Sequence, residues 1–333
     1  MATRVRSFAK INLGLAVGPA RADGFHGLTT MYQTLGLHDF VTVSAKASAE
    51  TRITLTADHV GVPRTAAGNA EKNTAYVMVA GALQRMGVTA EVTIDIAKRL
   101  PVQGGMGAGS ANAVAALLGL ERELGKALPG AERLKLAAEV GSDVPLFLVG
   151  GTVLGLGRGE EVFPLPDLPV THCVVAIPRV GVSTKLAFAE LDKRSALTFA
   201  QGGDRLGELS RVLAAVWCMD GVEPGLSGVT RRTSDLAENP LLALVRTGIE
   251  NDFEEVAFSQ YPSLRSTKRE LVGNDPGAAI FACLSGSGSA LFGLYASQTD
   301  ARAAQQRVQK AGTQAILTET LQRPAYWDTM FAE

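Results

Sequence analysis

Apolar and polar side chains alternate along residues 4–17 and 91–97, which is the pattern of half-buried β-strands. Two apolar runs, 28–37 and 40–44, follow the first stretch and predict further strands of a meander. Apolar residues then recur at helical spacing in three segments. These predicted helices span 73–87, 110–124 and 131–140. A mixture of strands and helices in this order predicts an α+β fold.

Strand patterns also return in the second half of the chain. Residues 150–160 predict a strand and hairpin, and 173–177 predict a buried strand. Farther along, residues 279–295 predict two strands joined by a glycine turn, with helices at 252–272 and 298–311 on either side. This arrangement indicates a ferredoxin-like second domain.

Proline-rich residues 164–169 separate the two halves and predict a domain boundary. We therefore expect an N-terminal domain over 1–165 and a C-terminal domain over 170–320. The C-terminal domain carries a predicted insertion at about 192–250. The sequence predicts no role for this insertion or for the tail, 323–333.

Composition limits the class of protein. The chain has 333 residues, 46% of them hydrophobic, and a net charge of −1, as expected of a globular protein without a basic surface field. We therefore expect neither a nucleic acid nor a membrane as partner. Three dispersed cysteines and an N-terminus without an apolar signal core predict reduced thiols and a cytoplasmic location. An anionic ligand would need local N–H groups and a few cations to hold it.

One glycine-rich segment, residues 101–113, joins the predicted strand 91–97 to the predicted helix 110–124. Such a loop directs backbone N–H groups toward an anion, and Ser110 could cap the helix or offer its hydroxyl. The alternative is a turn that only packs the helix tightly against a sheet. The P-loop template fails because no lysine follows the glycines, and the dinucleotide template fails because no acid ends a following strand.

Four polar residues lie in apolar or strand contexts, and each has two interpretations. Lys10 and Asn12 share one face of the first strand, either a solvated face or a polar floor beneath a ligand. Asp143 heads an apolar run, either as the cap of a short helix or as a catalytic carboxylate. Lys98 is either a solvated strand end or a partner for ligand charge.

The segment Pro101–Ala113 is similar to the phosphate loop of the GHMP kinases, and two further stretches resemble other motifs of that family in the same order. These are residues 141–147, which contain Asp143, and the glycine turn at 285–289. The resemblance implies a two-domain architecture, with a mixed α/β N-terminal domain and a ferredoxin-like C-terminal domain, and an ATP- and Mg²⁺-dependent kinase. It implies Asp143 and Lys10 as the catalytic residues, and Asn73 at the adenine pocket although a helix cap explains Asn73 equally well. The implied nucleotide-phosphate residues are Lys98, Pro101, Gly104, Gly105, Gly107, Gly109 and Ser110.

Residues 9–13 and 21–26 resemble the opening of one GHMP branch, in the methylerythritol phosphate route to isoprenoids. The resemblance implies 4-diphosphocytidyl-2-C-methyl-D-erythritol as substrate, phosphorylated on a hydroxyl. It implies that Phe25 stacks on the cytosine, that His26 hydrogen-bonds the cytidine, and that other polar side chains contact the substrate. These others are Asn12 and Thr184, the latter also explicable as a helix cap.

Two positions depart from the family pattern, because Phe25 replaces tyrosine and Ala111 replaces a second serine. The alternatives are a GHMP kinase for another small alcohol, such as mevalonate or homoserine, and a non-catalytic metabolite-binding protein of the same fold. The sequence names no acidic Mg²⁺ ligand, and it leaves a monomer and a homodimer equally open.

Overall fold

The computed structural model describes residues 2–20, 24–102, 104–198, 250–274 and 276–332. Most of the predicted insertion, including a helix that the sequence predicts over 205–218, lies outside these residues. No described helix is both long and apolar enough to cross a lipid bilayer.

The chain forms two compact units. The first consists of Met1–Ile11, Tyr32–Leu165 and Thr318–Glu333, and the second consists of Asn12–Met31 and Pro166–Leu317. The expected domains are consecutive segments, whereas each unit combines separate segments. The difference arises because the first two strands are long and each contributes residues to both units.

Seven strands within the described residues form one mixed sheet, in the order β11-β1-β2-β4-β3, with β5 paired to β2 and β6 to β5. Strand β2 covers both apolar runs that the sequence separates, and its second half, Phe40 to Ala47, pairs with β4. The seven strands are β1 Thr3–Ala20, β2 His26–Ala47, β3 Arg52–Ala57, β4 Ala90–Ala97, β5 Thr152–Leu156, β6 Glu161–Pro164 and β11 Phe331–Ala332.

The end of β4 lies between two partner strands. Phe40 of β2 pairs with Ala97 in an antiparallel register, and Ala57 of β3 pairs beside Ile96 in a parallel one. The chain leaves β4 at Lys98 and enters the glycine-rich loop. The residues that precede Phe40 in β2 therefore face the entrance of that loop.

The predicted cap of α1, Thr74–Met86, is confirmed. Asn73 Oδ1 accepts the N–H of Ala75 at 2.9 Å, and the helix ends at Gly87 with φ +62°. The side chains that α1 buries recur every three or four residues, which places them on one face. They are Ala75, Met78, Val79, Ala82, Leu83 and Met86.

Helix α2, Ala108–Leu124, begins two residues before Ser110, so Ser110 is not its cap. Its residues from Ala111 to Glu121 are all buried, which explains their apolar composition. Gly119 lets the helix approach β2, because a Cβ there would lie 2.7 Å from Val43. Helix α3, Gly130–Val140, ends at Gly141 in an extended conformation.

The second unit carries a four-stranded sheet in the order β10-β7-β9-β8, with β9 antiparallel to both β7 and β8. Its strands are β7 His172–Ile177, β8 Phe281–Leu284, β9 Leu291–Tyr295 and β10 Gln314–Glu319. The described helices are α4 Thr184–Thr198, α5 Phe253–Gln260, α6 Pro262–Val272 and α7 Gln298–Lys310. The single helix expected over 252–272 is wrong, because Pro262 lacks an N–H and starts a new helix.

The tail that the sequence leaves unassigned is part of the first unit. It forms α8, Arg323–Asp328, and strand β11, which pairs with β1. Tyr326 is 1% exposed and donates its hydroxyl to Phe147 O at 2.7 Å. The tail therefore holds the segment that follows Asp143.

We expect Tyr326→Ala to lower the free energy of unfolding by about 3–5 kcal/mol, because it leaves a cavity in the core. Tyr326→Phe should cost only about 1 kcal/mol, the usual net value of one hydrogen bond. Urea denaturation followed by circular dichroism measures both changes. Phe331→Ala, at a side chain that is 37% exposed, is the control. Equal losses for Tyr326→Ala and Phe331→Ala would contradict a specific anchoring role of the Tyr326 side chain.

Candidate active site

A cavity of about 370 Å³ in the first unit is lined by the glycine-rich loop. Every residue that the sequence assigns to the nucleotide lines it. These residues are Asn73, Lys98, Pro101, Gly104, Gly105, Gly107, Gly109 and Ser110. The structure thus brings the predicted nucleotide site together, while the contacts of each residue with ATP stay a prediction.

Gly107 is a closely packed point of the loop. Its φ is +69°, and a Cβ there would lie 2.9 Å from Phe147 Cζ and 3.1 Å from Lys10 Cγ. The loop is also tied to β1, because Lys10 N donates to Met106 O at 3.1 Å. Gly107 is the N-cap position of α2, so the positive end of that helix faces the cavity.

Lys10 and Asp143 form an ion pair with a distance of 3.3 Å from Nζ to Oδ2. The Lys10 side chain is 3% exposed and that of Asp143 is 34% exposed. The solvated-face interpretation of Lys10 is therefore wrong. The short 3₁₀ turn Pro145–Leu148 begins after Val144 without a side-chain cap, so Asp143 is not its cap.

Tyr32 completes this cluster, and the sequence analysis missed it. Its hydroxyl donates to Asp143 Oδ1 at 3.0 Å. Burial, followed by the charge of Asp143, raises the pKa of Tyr32 well above its usual value. The phenol therefore stays protonated and acts as a donor at neutral pH. A buried tyrosine in a strand is typical of a core residue, so only the tertiary contact identifies it.

Gly159 makes room for that phenol. It has φ +100°, and a Cβ there would lie 2.5 Å from Tyr32 Oη. The hairpin turn after β5, which the sequence suggests to be structural only, therefore also shapes the surroundings of Asp143.

Lys98 is not a solvated strand end. Its side chain is 6% exposed, and its ammonium group forms an ion pair with the carboxylate of Asp39. Lys98 therefore lines the cavity with its positive charge neutralised by Asp39.

In the second unit, the predicted cytidine residues differ in exposure. Phe25 is 49% exposed, whereas the His26 side chain is 10% exposed. His26 Nε2 lies 2.7 Å from Asp192 Oδ1, and its ring stacks on Phe188 with 4.7 Å between ring centres. The sequence singled out neither Asp192 nor Phe188, because ordinary helical spacing carries no mark of either contact.

Asn12 and Thr184, the other predicted substrate residues, are engaged within the second unit. Asn12 is 1% exposed and donates to Thr30 Oγ1 at 2.8 Å. Thr184 is the first residue of α4 rather than its cap, and its hydroxyl lies 2.8 Å from Ser287 Oγ. Ser287 belongs to the glycine turn at 285–289, so that turn could have drawn attention to it.

Comparison with known proteins decides the family. The family models for the GHMP kinases N-terminal domain and C-terminal domain match residues 73–151 and 235–314. A curated 4-diphosphocytidyl-2-C-methyl-D-erythritol kinase of Solibacter usitatus is 36% identical over 87% of this chain and 80% of its own length. The chain belongs to that family of the GHMP kinases.

Other comparisons agree with this membership. A second such kinase, from Lachnospira eligens, is 30% identical over 95% of this chain and 98% of its own. A crystal structure of 4-(cytidine 5'-diphospho)-2C-methyl-D-erythritol kinase superposes with a TM-score of 0.66 at 26% identity, covering 95% of this chain and 98% of that one. A homoserine kinase from Cytophaga hutchinsonii, at 19% identity and TM-score 0.67 over 96% of this chain and 94% of its own, shares the fold. The predicted α+β GHMP fold and the class of ATP-dependent small-molecule kinase are thereby confirmed.

We expect Gly107→Ala to lower the free energy of unfolding of this GHMP kinase by about 2 kcal/mol or more, because a side chain there is both strained and overpacked. Gly109→Ala is the matched control. At Gly109, within α2, the nearest atom to a Cβ is Thr74 Oγ1 at 3.4 Å. This variant should remain within about 1 kcal/mol of the parent. Chemical denaturation compares them, and equal losses would contradict the close approach at Gly107.

Proposed function

We propose that this GHMP kinase transfers the γ-phosphoryl group of ATP to a hydroxyl of 4-diphosphocytidyl-2-C-methyl-D-erythritol, in the methylerythritol phosphate route to isoprenoids. The names of its relatives supply the substrate. The observation that carries the chemistry is the Lys10–Asp143 pair in the same unit as the glycine-lined cavity. Lys10 links the two features directly, because its stem packs at Gly107 and its ammonium group contacts Asp143.

The glycine loop is suited to the ATP phosphates. Phosphoryl transfer is catalysed chiefly by positioning and by donors aimed at the departing charge. Backbone N–H groups of the loop and the N-terminus of α2 would supply most of these donors, with Ser110 as a hydroxyl. Asn73, whose side chain caps α1 at the cavity wall, would border the adenine.

Asp143 and Lys10 would act on the acceptor alcohol. The hydroxyl oxygen forms a bond to the γ-phosphorus as the bond to the β–γ bridging oxygen breaks, and its proton passes to Asp143. ADP leaves with the electron pair of the broken bond. The hydrogen bond from Tyr32 to Oδ1 restricts the orientation of the Asp143 carboxylate. Lys10 balances the charge of Asp143 and remains near the loop.

Mg²⁺ is expected to arrive as the ATP complex. The described residues that line the cavity include no aspartate or glutamate, and the described chain holds no cluster of three or more metal ligands. The described lining of the cavity therefore offers the ion no carboxylate ligand.

The second unit would provide the contacts to the cytidine end of the substrate. The exposed ring of Phe25 can stack on a base without the tyrosine hydroxyl. His26 is held by Asp192 and Phe188, and a fixed imidazole can hydrogen-bond the cytidine. Asn12 and Thr184 remain proposed substrate contacts, and the cytoplasm remains the expected location.

The nature of the acceptor is the point to test against other GHMP kinases. One mevalonate kinase structure shares this fold at only 12% identity and TM-score 0.60, which says nothing of the substrate of this chain. ADP release should be measured with the cytidyl substrate, with mevalonate and with homoserine. Turnover of the cytidyl substrate alone is expected. Turnover of another alcohol would overturn the proposed substrate, and no turnover with any of them would favour a binding protein.

Asp143→Asn should reduce kcat by about 10²–10⁴-fold, because the variant cannot accept the hydroxyl proton. The KM for ATP should change much less, since Asp143 does not line the nucleotide cavity. Asp328→Asn, at an exposed position in α8, is the control for the loss of a carboxylate. Near-normal turnover of Asp143→Asn would remove Asp143 from the mechanism.

Phe25→Ala should raise the KM for the cytidyl substrate about 10- to 100-fold, the usual range for the loss of one base-stacking contact. Phe25→Tyr should retain the parent value or lower it. Phe163→Ala, at another half-exposed phenylalanine in the first unit, controls for a general effect of removing a ring. An unchanged KM in Phe25→Ala would exclude stacking at this position.

A further inference from the structure

Asp39 is a completely buried carboxylate at the entrance of the glycine-rich loop. Its side chain is 0% exposed. It precedes Phe40, which pairs with the last residue of β4, so it lies beside the chain as it leaves that strand. Neither the sequence patterns nor the proposed chemistry assigns it a role.

The two oxygens of Asp39 have different partners. Oδ1 accepts the backbone N–H groups of Arg99 and Leu100, both at 2.7 Å. Oδ2 accepts the ammonium group of Lys98. One side chain therefore holds the three residues that lead directly into Pro101.

The same carboxylate also contacts the far side of the loop. When the side-chain amide of Asn112, in the second turn of α2, is assigned from its hydrogen-bond partners, its nitrogen donates to Asp39 Oδ2 at 3.2 Å and to Ser7 Oγ of β1 at 2.6 Å. Asp39 thus touches the segment that enters the loop and the helix that leaves it. Arg99 adds a further restraint, because its guanidinium group stacks on the Phe40 ring at 4.6 Å.

A second aspartate provides a comparison. Asp58 Oδ1 accepts the N–H of Lys98 at 2.8 Å, but Asp58 is exposed. Burial of an ionised carboxylate is costly unless several donors and a countercharge compensate it. Asp39 has that full set of partners, whereas Asp58 makes a solvent-exposed contact that water can replace.

We propose that Asp39 is a positioning residue for the nucleotide phosphates. It sets the conformation of the loop entrance through Oδ1, and it holds Lys98 in place at the cavity through Oδ2. This inference deepens the proposed use of ATP and rests on it. Because Asp39 neutralises Lys98, the attraction for phosphate comes mainly from the backbone N–H groups and α2.

The Oδ1 contacts can be tested without an unpaired buried charge. Asp39→Asn/Lys98→Met retains an oxygen that can accept both N–H groups, whereas Asp39→Leu/Lys98→Met has a similar shape and no acceptor. Calorimetric titration with ATP and Mg²⁺, without acceptor alcohol, should give the leucine variant a Kd about 10-fold higher or more, as expected for two lost buried hydrogen bonds. Adenosine, which has no phosphates, should bind both variants within about threefold of each other, the range expected when no contact is lost.

The Oδ2 contact has its own test. Lys98→Met alone leaves the Asp39 carboxylate without its countercharge beside the cavity, so it should bind ATP more weakly than Asp39→Asn/Lys98→Met by about 10-fold. If Asp39 and Lys98 act independently, Asp39→Asn/Lys98→Met should instead bind ATP more weakly than Lys98→Met. Asp58→Asn is the exposed control and should keep the parent Kd. Thermal unfolding verifies that each variant is folded at the titration temperature.

The outcomes are distinguishable. Equal ATP affinity of Asp39→Asn/Lys98→Met and Asp39→Leu/Lys98→Met would overturn the positioning role. An equal loss of adenosine and ATP binding in Asp39→Leu/Lys98→Met would also overturn it, because that result indicates a purely structural residue. If Asp39→Leu/Lys98→Met does not fold, the proposal is tested by comparing Lys98→Met with Asp39→Asn/Lys98→Met. Weaker ATP binding by Asp39→Asn/Lys98→Met than by Lys98→Met would then overturn the proposal. Parent protein that binds no ATP would instead refute the proposed function.

Discussion

The absence of a side chain at Gly107 is the constraint on which the site depends. The stem of Lys10 and the ring of Phe147 occupy the space that a Cβ would need. Lys10 belongs to β1, Phe147 to the turn that follows Asp143, and Gly107 to the start of α2. One close approach therefore brings the glycine-rich loop, the buried lysine and the segment that follows Asp143 together. Tyr326 supports the same turn from the tail by binding Phe147 O.

Both buried lysines of the first unit's site are paired with a carboxylate. Lys10 is paired with Asp143 and Lys98 with Asp39. An unpaired charge at either position would be costly, so each pair behaves as a unit and neither cation is an independent anchor for phosphate. The pairs differ in exposure, because Asp143 is one-third exposed and Asp39 is not exposed at all. This difference separates a carboxylate that can reach a reacting hydroxyl from one that can only support the loop.

Local sequence pattern predicted the secondary structure correctly where residues close in sequence determine the backbone conformation. The cap at Asn73, the glycine-rich segment that leads into a helix and the strand 91–97 follow from turn residues and periodicity, and the structure contains all three. It failed at β2, which runs unbroken through His38 and Asp39 where the sequence pattern separates two apolar runs. It also failed at Pro262, where the apolar spacing of one helix concealed two.

The amino-acid sequence by itself determined the family, the order of its three motifs and the residue types that line the glycine-rich cavity. These depend on backbone freedom at glycines and on side-chain chemistry, which are legible in a single chain. Only the tertiary structure excluded a solvated Lys10, a solvated Lys98 and a capping role of Asp143, and only it revealed Tyr32 and Asp39. A polar residue in an apolar segment is solvated or paired according to what lies opposite, and Lys10 and Asp143 are separated by more than a hundred residues. Contacts at that separation arise from tertiary packing, which local periodicity does not report.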